Sequence, residues 1–60
     1  MNVWNKSIDG LPPEGVDVET KIEDVDGERS HQIMQYKQGL WWIDNGKMYV
    51  YYRPTHWRNK

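Results

Sequence analysis

Aromatic and basic side chains are the groups in this chain best suited to touching another molecule, and they are concentrated in one stretch. Trp42, Lys47, Tyr49, Tyr51 and Arg53 fall within twelve residues, and six of the eight aromatic residues lie between Leu40 and Trp57. Nucleobases stack on aromatic faces while cations meet phosphates, so this set suits a single-stranded nucleic acid. It equally suits a protein partner, because Trp, Tyr and Arg dominate the energetics of protein interfaces. A third use is internal: cross-strand aromatic pairs stabilise a small sheet, here partly covered by the N-terminal segment.

Other chemistries lack their residues. His31 and His56 do not have the spacing of a zinc site, so no metal is expected. His56, between Thr55 and Trp57, is better suited to fixing the C-terminal turn through hydrogen bonds. There is no cysteine and no glycine-rich phosphate loop, and Ser7 and Ser30 have no evident base. Sixty residues also offer little material for a concave, desolvated pocket. The expectation is a protein that is not an enzyme and carries no cofactor.

Positioning the aromatic set requires a sheet. Asn45-Gly46 between two apolar runs is a strong hairpin signal, because both residues tolerate the positive φ of a type I′ turn. A two-residue turn there pairs Ile43 with Met48, Trp42 with Tyr49 and Trp41 with Val50. Gln38-Gly39 reads as a second tight turn, pairing Tyr36 with Trp41. Val16 to Glu23 alternates, with Val16, Val18, Thr20 and Ile22 on one side and Asp17, Glu19, Lys21 and Glu23 on the other, as a half-buried strand does. Ser30 to Lys37 is less regular; a strand fits it, and so does a short helix. Leu40–Ile43 and Lys47–Arg53 complete the set, and Pro54 ends the last strand because it has no N–H for a ladder. Thr55-His56-Trp57 reads as a turn, followed by a frayed basic tail.

These elements predict a mainly β fold. It is a small four-stranded antiparallel meander in a single domain spanning residues 1–60, with room for a short helical turn before Leu11. Its apolar face would collect Met34, Tyr36, Trp41, Ile43, Met48, Val50 and Tyr52. Val16, Val18, Thr20 and Ile22 join that face only if the first turn contains an odd number of residues, since a one-residue slip would send the acidic set inward. An odd first turn is therefore expected in place of a two-residue Asp26-Gly27 turn. Trp4, Ile8, Leu11 and Trp57 are available to cover the face.

Net charge is −1, but residues 9 to 28 hold eight acids against Lys21, while residues 29 to 60 hold six bases against Asp44. Such a split either lets the two halves attract each other across a sheet or presents distinct acidic and basic surfaces. The acidic run can mimic a phosphate backbone, dock on a basic protein, or simply solvate and blunt an edge strand. The first and fourth strands are both available to pair with a second copy, although Arg53-Pro54 and the acidic run discourage a homodimer. A core this small is marginal, and without disulfides Trp and Tyr must supply much of its burial. Small secreted domains usually carry disulfides, so the lack of cysteine favours the cytoplasm. No apolar run approaches membrane-spanning length, and the N-terminus lacks the layout of a signal peptide, so no membrane association is expected.

Trp4, Leu11-Pro12 with Gly15, Val16-Asp17-Val18, Tyr36, Trp41 or Trp42, and the closing Thr55-His56-Trp57 together form a recognisable layout. The chain resembles a family of short proteins of unknown function that are frequent in tailed phages and prophages. Arg58-Asn59-Lys60 departs from the apolar, Pro-containing end usual in that family, and the block from Tyr49 to Arg53 is more aromatic. The resemblance implies a phage or prophage accessory protein acting in a bacterial cytoplasm, and it carries over no catalytic or binding residues. Together with the aromatic-basic face, it leads to two expectations. The first is an interaction module that binds, and inhibits, a host or phage protein through Trp42, Lys47, Tyr49, Tyr51 and Arg53. The alternative is a single-stranded nucleic-acid module using the same residues.

Overall fold

Apolar alternation and left-handed turn residues shape most of the sheet seen in the computed structural model, which describes residues 3–60. Six strands form in chain order: β1 (Asn5–Lys6), β2 (Val18–Asp24), β3 (Gly27–Lys37), β4 (Leu40–Ile43), β5 (Met48–Val50) and β6 (His56–Asn59). They make one antiparallel sheet ordered β1-β6-β2-β3-β4-β5. The expected four-stranded meander is β2 to β5. Among the described residues no helix forms; before Leu11 the chain makes a single turn, closed by the Asp9 N–H donating to the Lys6 carbonyl at 3.0 Å.

The two hairpins at the C-terminal end of the meander have the anticipated registers. Gln38 and Gly39 take φ of 54° and 76°, and Tyr36 faces Trp41. Beyond them, Ile43 faces Met48, Trp42 faces Tyr49 and Trp41 faces Val50. The second turn is more tightly wound than a lone Asn-Gly pair needs. Asp44, Asn45 and Gly46 are all left-handed, at φ of 54°, 56° and 82°. Two overlapping bonds result, from Gly46 N–H to the Ile43 carbonyl and from Lys47 N–H to the Asp44 carbonyl, each 3.1 Å.

The first hairpin meets the parity requirement by a different device. Its turn holds an even number of residues, Val25 and Asp26, because Asp24 faces Gly27. The odd residue comes further along. Ile22 faces Arg29 but Thr20 faces Gln32, so Lys21 lies opposite both Ser30 and His31. Ser30 takes φ 60° in this β-bulge, where one extra residue restores Val18 and Thr20 to the face of Met34. The turn itself is stapled by Asp24, whose Oδ1 accepts the Asp26 N–H at 2.9 Å.

That face holds the core. Val18, Met34 and Trp41 are buried, with Tyr36, Ile43, Val50, Tyr52 and Trp57 packed around them. Thr20 is buried among them because its hydroxyl donates to the Gln32 carbonyl at 3.0 Å, satisfying a group that burial would otherwise penalise. The Pro-rich connector is anchored as well. Pro12 is buried, and Gly15, at φ 76°, donates its N–H to the Tyr36 carbonyl at 3.1 Å.

Four further expectations are corrected. Residues 56–59 are neither a turn nor a frayed tail but a strand, paired with β2 from Val18↔Asn59 to Lys21↔His56 and with β1 through Asn5↔Trp57 and Lys6↔His56. As a result β2 is interior, so its acidic side does not blunt an edge; the edges are β1 and β5. The last strand of the meander also stops at Val50, short of Arg53, because the chain bends at Tyr51 and Tyr52 to bring Pro54 into a buried position. Finally, of the residues available to cover the apolar face only Trp57 packs on it. Ile8 is 90% and Leu11 48% exposed, and Trp4 lies on the other side of the sheet.

Candidate functional site

Register places Gln35, Lys37, Trp42 and Tyr49 on the side of the sheet away from the core. There the aromatic rings form a connected series. Trp42 and Tyr49 meet edge to face at 5.7 Å between centroids, and Tyr49 meets Tyr51 the same way at 5.8 Å. The inner end of the series is fixed, since Trp42 is half-buried and its Nε1–H donates to the Lys37 carbonyl at 3.1 Å. The outer end is free, with Tyr51 95% exposed. Trp42 therefore anchors the strip and Tyr51 presents it.

Four of the five residues expected to form this surface fit the strip, and one does not. Trp42, Tyr49 and Tyr51 are joined through their rings, and Lys47 is exposed in the adjoining turn. Arg53 lies past the bend and lines a cleft on the core side with Tyr36 and Trp41. Strand alternation, which would have grouped Arg53 with Tyr49 and Tyr51, ends at Val50. Lys37 was missed: its Nζ sits 4.8 Å from the centre of the Trp42 ring. The signal was available in the Gln38-Gly39 register, which puts Lys37 opposite Leu40 and hence on the side of Trp42.

Elsewhere bases of the second half of the chain pair with acids of the first. Arg58 pairs with Glu19 at 2.9 Å, Arg29 grips both carboxylate oxygens of Asp24 at 2.8 and 2.9 Å, and His31 Nε2 lies 3.4 Å from Glu28. Lys21, only 4% exposed, pairs with Glu23 at 2.8 Å and Glu28 at 3.2 Å. The Arg29 guanidinium, aided by the Asp26 N–H, holds the Asp24 carboxyl down at about 2. Glu23 raises the Lys21 ammonium above its ordinary value, with Glu28 assisting and burial opposing, and Lys21 in turn lowers Glu23. By contrast Lys37 and Lys47 beside the strip, and Arg53 at the cleft, make no ion pair among the described residues.

Thr55-His56-Trp57 has a structural role. The Thr55 hydroxyl accepts the Glu23 N–H at 2.8 Å and lies 2.8 Å from His56 Nδ1, while the Thr55 backbone bonds Lys21 on one side and Ser7 on the other. Trp57 Nε1–H donates to the Gly10 carbonyl at 2.9 Å. The motif clasps β6 between β1 and β2. Among the described residues no group of three or more His, Asp or Glu is arranged to hold a metal ion. No helix among them is long and apolar enough to cross a membrane.

A cleft of about 540 Å³ nevertheless opens on the core side, lined by Ile8, Leu11, Tyr36, Trp41, Arg53 and Pro54 among others. Ile8 and Leu11 line it yet stay exposed, while Ser7 and Gly10 on the same segment are bonded to Thr55 and Trp57. Compared with known proteins, the chain matches no family model, no curated protein and no solved structure.

Proposed function

We propose that this protein is a small non-enzymatic interaction module that binds a partner protein through the Trp42–Tyr49–Tyr51 strip, with Lys37 and Lys47 beside it. The observation that carries this reading is the graded exposure of the strip, from an anchored Trp42 to a Tyr51 that is 95% exposed. A ring held only at its base contributes little to the fold and is available to a partner, and interface hot spots are rich in such side chains. The unpaired lysines favour an acidic partner surface. The resemblance to short phage and prophage proteins supports an accessory role in a bacterial cytoplasm, in which binding inhibits a host or phage protein.

The second reading, a single-stranded nucleic-acid module, uses the same rings. It is favoured by the cation over Trp42 and opposed by a net charge of −1. An affinity capture from bacterial lysate, with and without nuclease, separates the two. One protein retained after nuclease treatment and lost with Tyr51→Ala supports the first reading. Recovery of nucleic acid that weakens steeply with salt supports the second. A Tyr49→Ala, Tyr51→Ala double variant that keeps every partner of the parent chain rules out the strip in both.

A further inference from the structure

The cleft on the core side is not used by the strip and has the attributes of a ligand site. Its volume, about 540 Å³, is in the range that holds small organic molecules. Tyr36, Trp41 and the buried Pro54 give it an aromatic and apolar lining, and Ile8 and Leu11 remain largely exposed beside it. Its charge is one-sided. Arg53 and Lys6 line the cleft and make no ion pair among the described residues, while no Asp or Glu lines it.

We propose that the cleft binds a small organic carboxylate with an aryl or branched aliphatic body. The body covers Tyr36 and Trp41 and takes Ile8 and Leu11 out of water, the usual driving force for such sites. The carboxylate accepts hydrogen bonds from the Arg53 guanidinium, and Lys6 adds a second positive charge to the lining. A cationic ligand of the same shape would face Arg53 and no compensating acid.

The test titrates the ¹⁵N-labelled full chain at neutral pH with 4-phenylbutyrate and, separately, with 4-phenylbutylamine. The amides of Ile8, Leu11 and Tyr36 and the indole N–H of Trp41 report binding. The expected result is saturable shifts at these groups, with a Kd on the order of millimolar for the carboxylate. The amine should bind about tenfold more weakly, because a charge-assisted hydrogen bond is lost. Arg53→Gln should clearly weaken that preference, with Lys6 remaining in the lining, while leaving the rest of the spectrum in place, since Arg53 is exposed. Equal binding of both probes, an Arg53→Gln variant that binds the carboxylate as well as the parent does, or the absence of saturable shifts at the cleft would each overturn the proposal. So would shifts at the same residues that depend on protein concentration alone, which would assign the cleft to a second copy of the chain. Because the strip residues Tyr49 and Tyr51 are not reporters here, failure of this site leaves the reading of the strip untouched.

Discussion

The guanidinium carbon of Arg58 lies 4.3 Å from the centre of the Trp4 ring, on the side of the sheet opposite the core. The Lys21 ammonium lies 4.6 Å from the same centre, and the His31 ring meets Trp4 edge to face at 6.2 Å. Trp4 thus covers the charged side of β2 and β6. It keeps Lys21 out of water while Glu23 and Glu28 neutralise it, and burial of a cation is tolerated only with such partners. Trp4→Ala should lower stability by about 1–3 kcal/mol, with Trp4→Phe losing less because a ring remains over the cations. Urea unfolding at neutral pH measures this, and an unchanged midpoint for Trp4→Ala would show that the ring only rests on the surface.

The β-bulge at Ser30 makes a second prediction. A non-glycine residue in the left-handed region is strained, and a β-branched one more so. Ser30→Gly should therefore be neutral or slightly stabilising, whereas Ser30→Val should cost about 1–2 kcal/mol. Deleting Ser30 should do far more. It would turn Val18 and Thr20 away from the face of Met34 and bring Glu19 and Lys21 onto it, and loss of cooperative unfolding by circular dichroism is the expected outcome.

This bulge also shows where sequence reading succeeds and stops. The need for an odd residue in the first hairpin is legible, because Val18, Thr20 and Met34 must share a face. Its location is not, because Glu28-Arg29-Ser30-His31 is polar throughout and offers no alternation to break. The later hairpins are legible down to register, since Asn45-Gly46 and Gln38-Gly39 carry their turn preference locally. By contrast β6 is built from a four-residue segment whose partners are β1 and β2, far away in sequence, so nothing local marks it as a strand. Trp4 is misplaced for a related reason. An aromatic residue in an aperiodic segment reads as core, and only the meeting of Lys21 with Arg58 through β2 and β6 reveals a cationic surface for it. The aromatic strip is legible by strand parity up to Val50 and fails at Arg53, where the strand has ended.

Stability should fall on both sides of neutrality, for reasons of opposite sign. Asp24 is held at about 2 in the folded chain, below the usual 3.8, so its contribution is complete above about pH 4 and is lost as pH falls toward 2. Glu23, also lowered, is lost in the same direction. Lys21 is raised above 10.5, so its contribution is complete below that value and is lost as pH rises past it. Urea midpoints across this range should trace a plateau with two falling limbs. Asp24→Asn should flatten the acid limb between pH 4 and 2; an acid limb as steep as that of the parent chain would place its origin elsewhere.

Within the strip, stability and binding should separate by position. Tyr51 is almost fully exposed, so Tyr51→Ala should change stability by no more than about 0.5 kcal/mol. Trp42→Ala removes a half-buried ring, its bond to the Lys37 carbonyl and the surface under Lys37, and should cost about 2–4 kcal/mol. Paired unfolding measurements decide this. If the two variants are equally destabilised, Tyr51 belongs to the fold and its value as an interaction probe is lost.

The clasp at Thr55 gives the last prediction. Its hydroxyl accepts the Glu23 N–H and has one proton, which either His56 Nδ1 at 2.8 Å or the Lys21 carbonyl at 3.4 Å can accept. The shorter distance favours His56 when Nδ1 is unprotonated. When Nδ1 carries a proton, His56 becomes the donor and the hydroxyl turns to Lys21, so the clasp persists in both states. Thr55→Val keeps the shape but leaves the Glu23 N–H without an acceptor and His56 without a partner. Its cost should be about 1–3 kcal/mol. Thr55→Ser retains the oxygen and should recover most of it. Hydrogen exchange adds a local readout: in Thr55→Val the Glu23 amide, and the amides pairing β6 with β2, should lose protection relative to the β3–β4 pairing. Uniform loss across the sheet would mean that β6 unfolds only with the whole molecule and that the clasp is part of the global core.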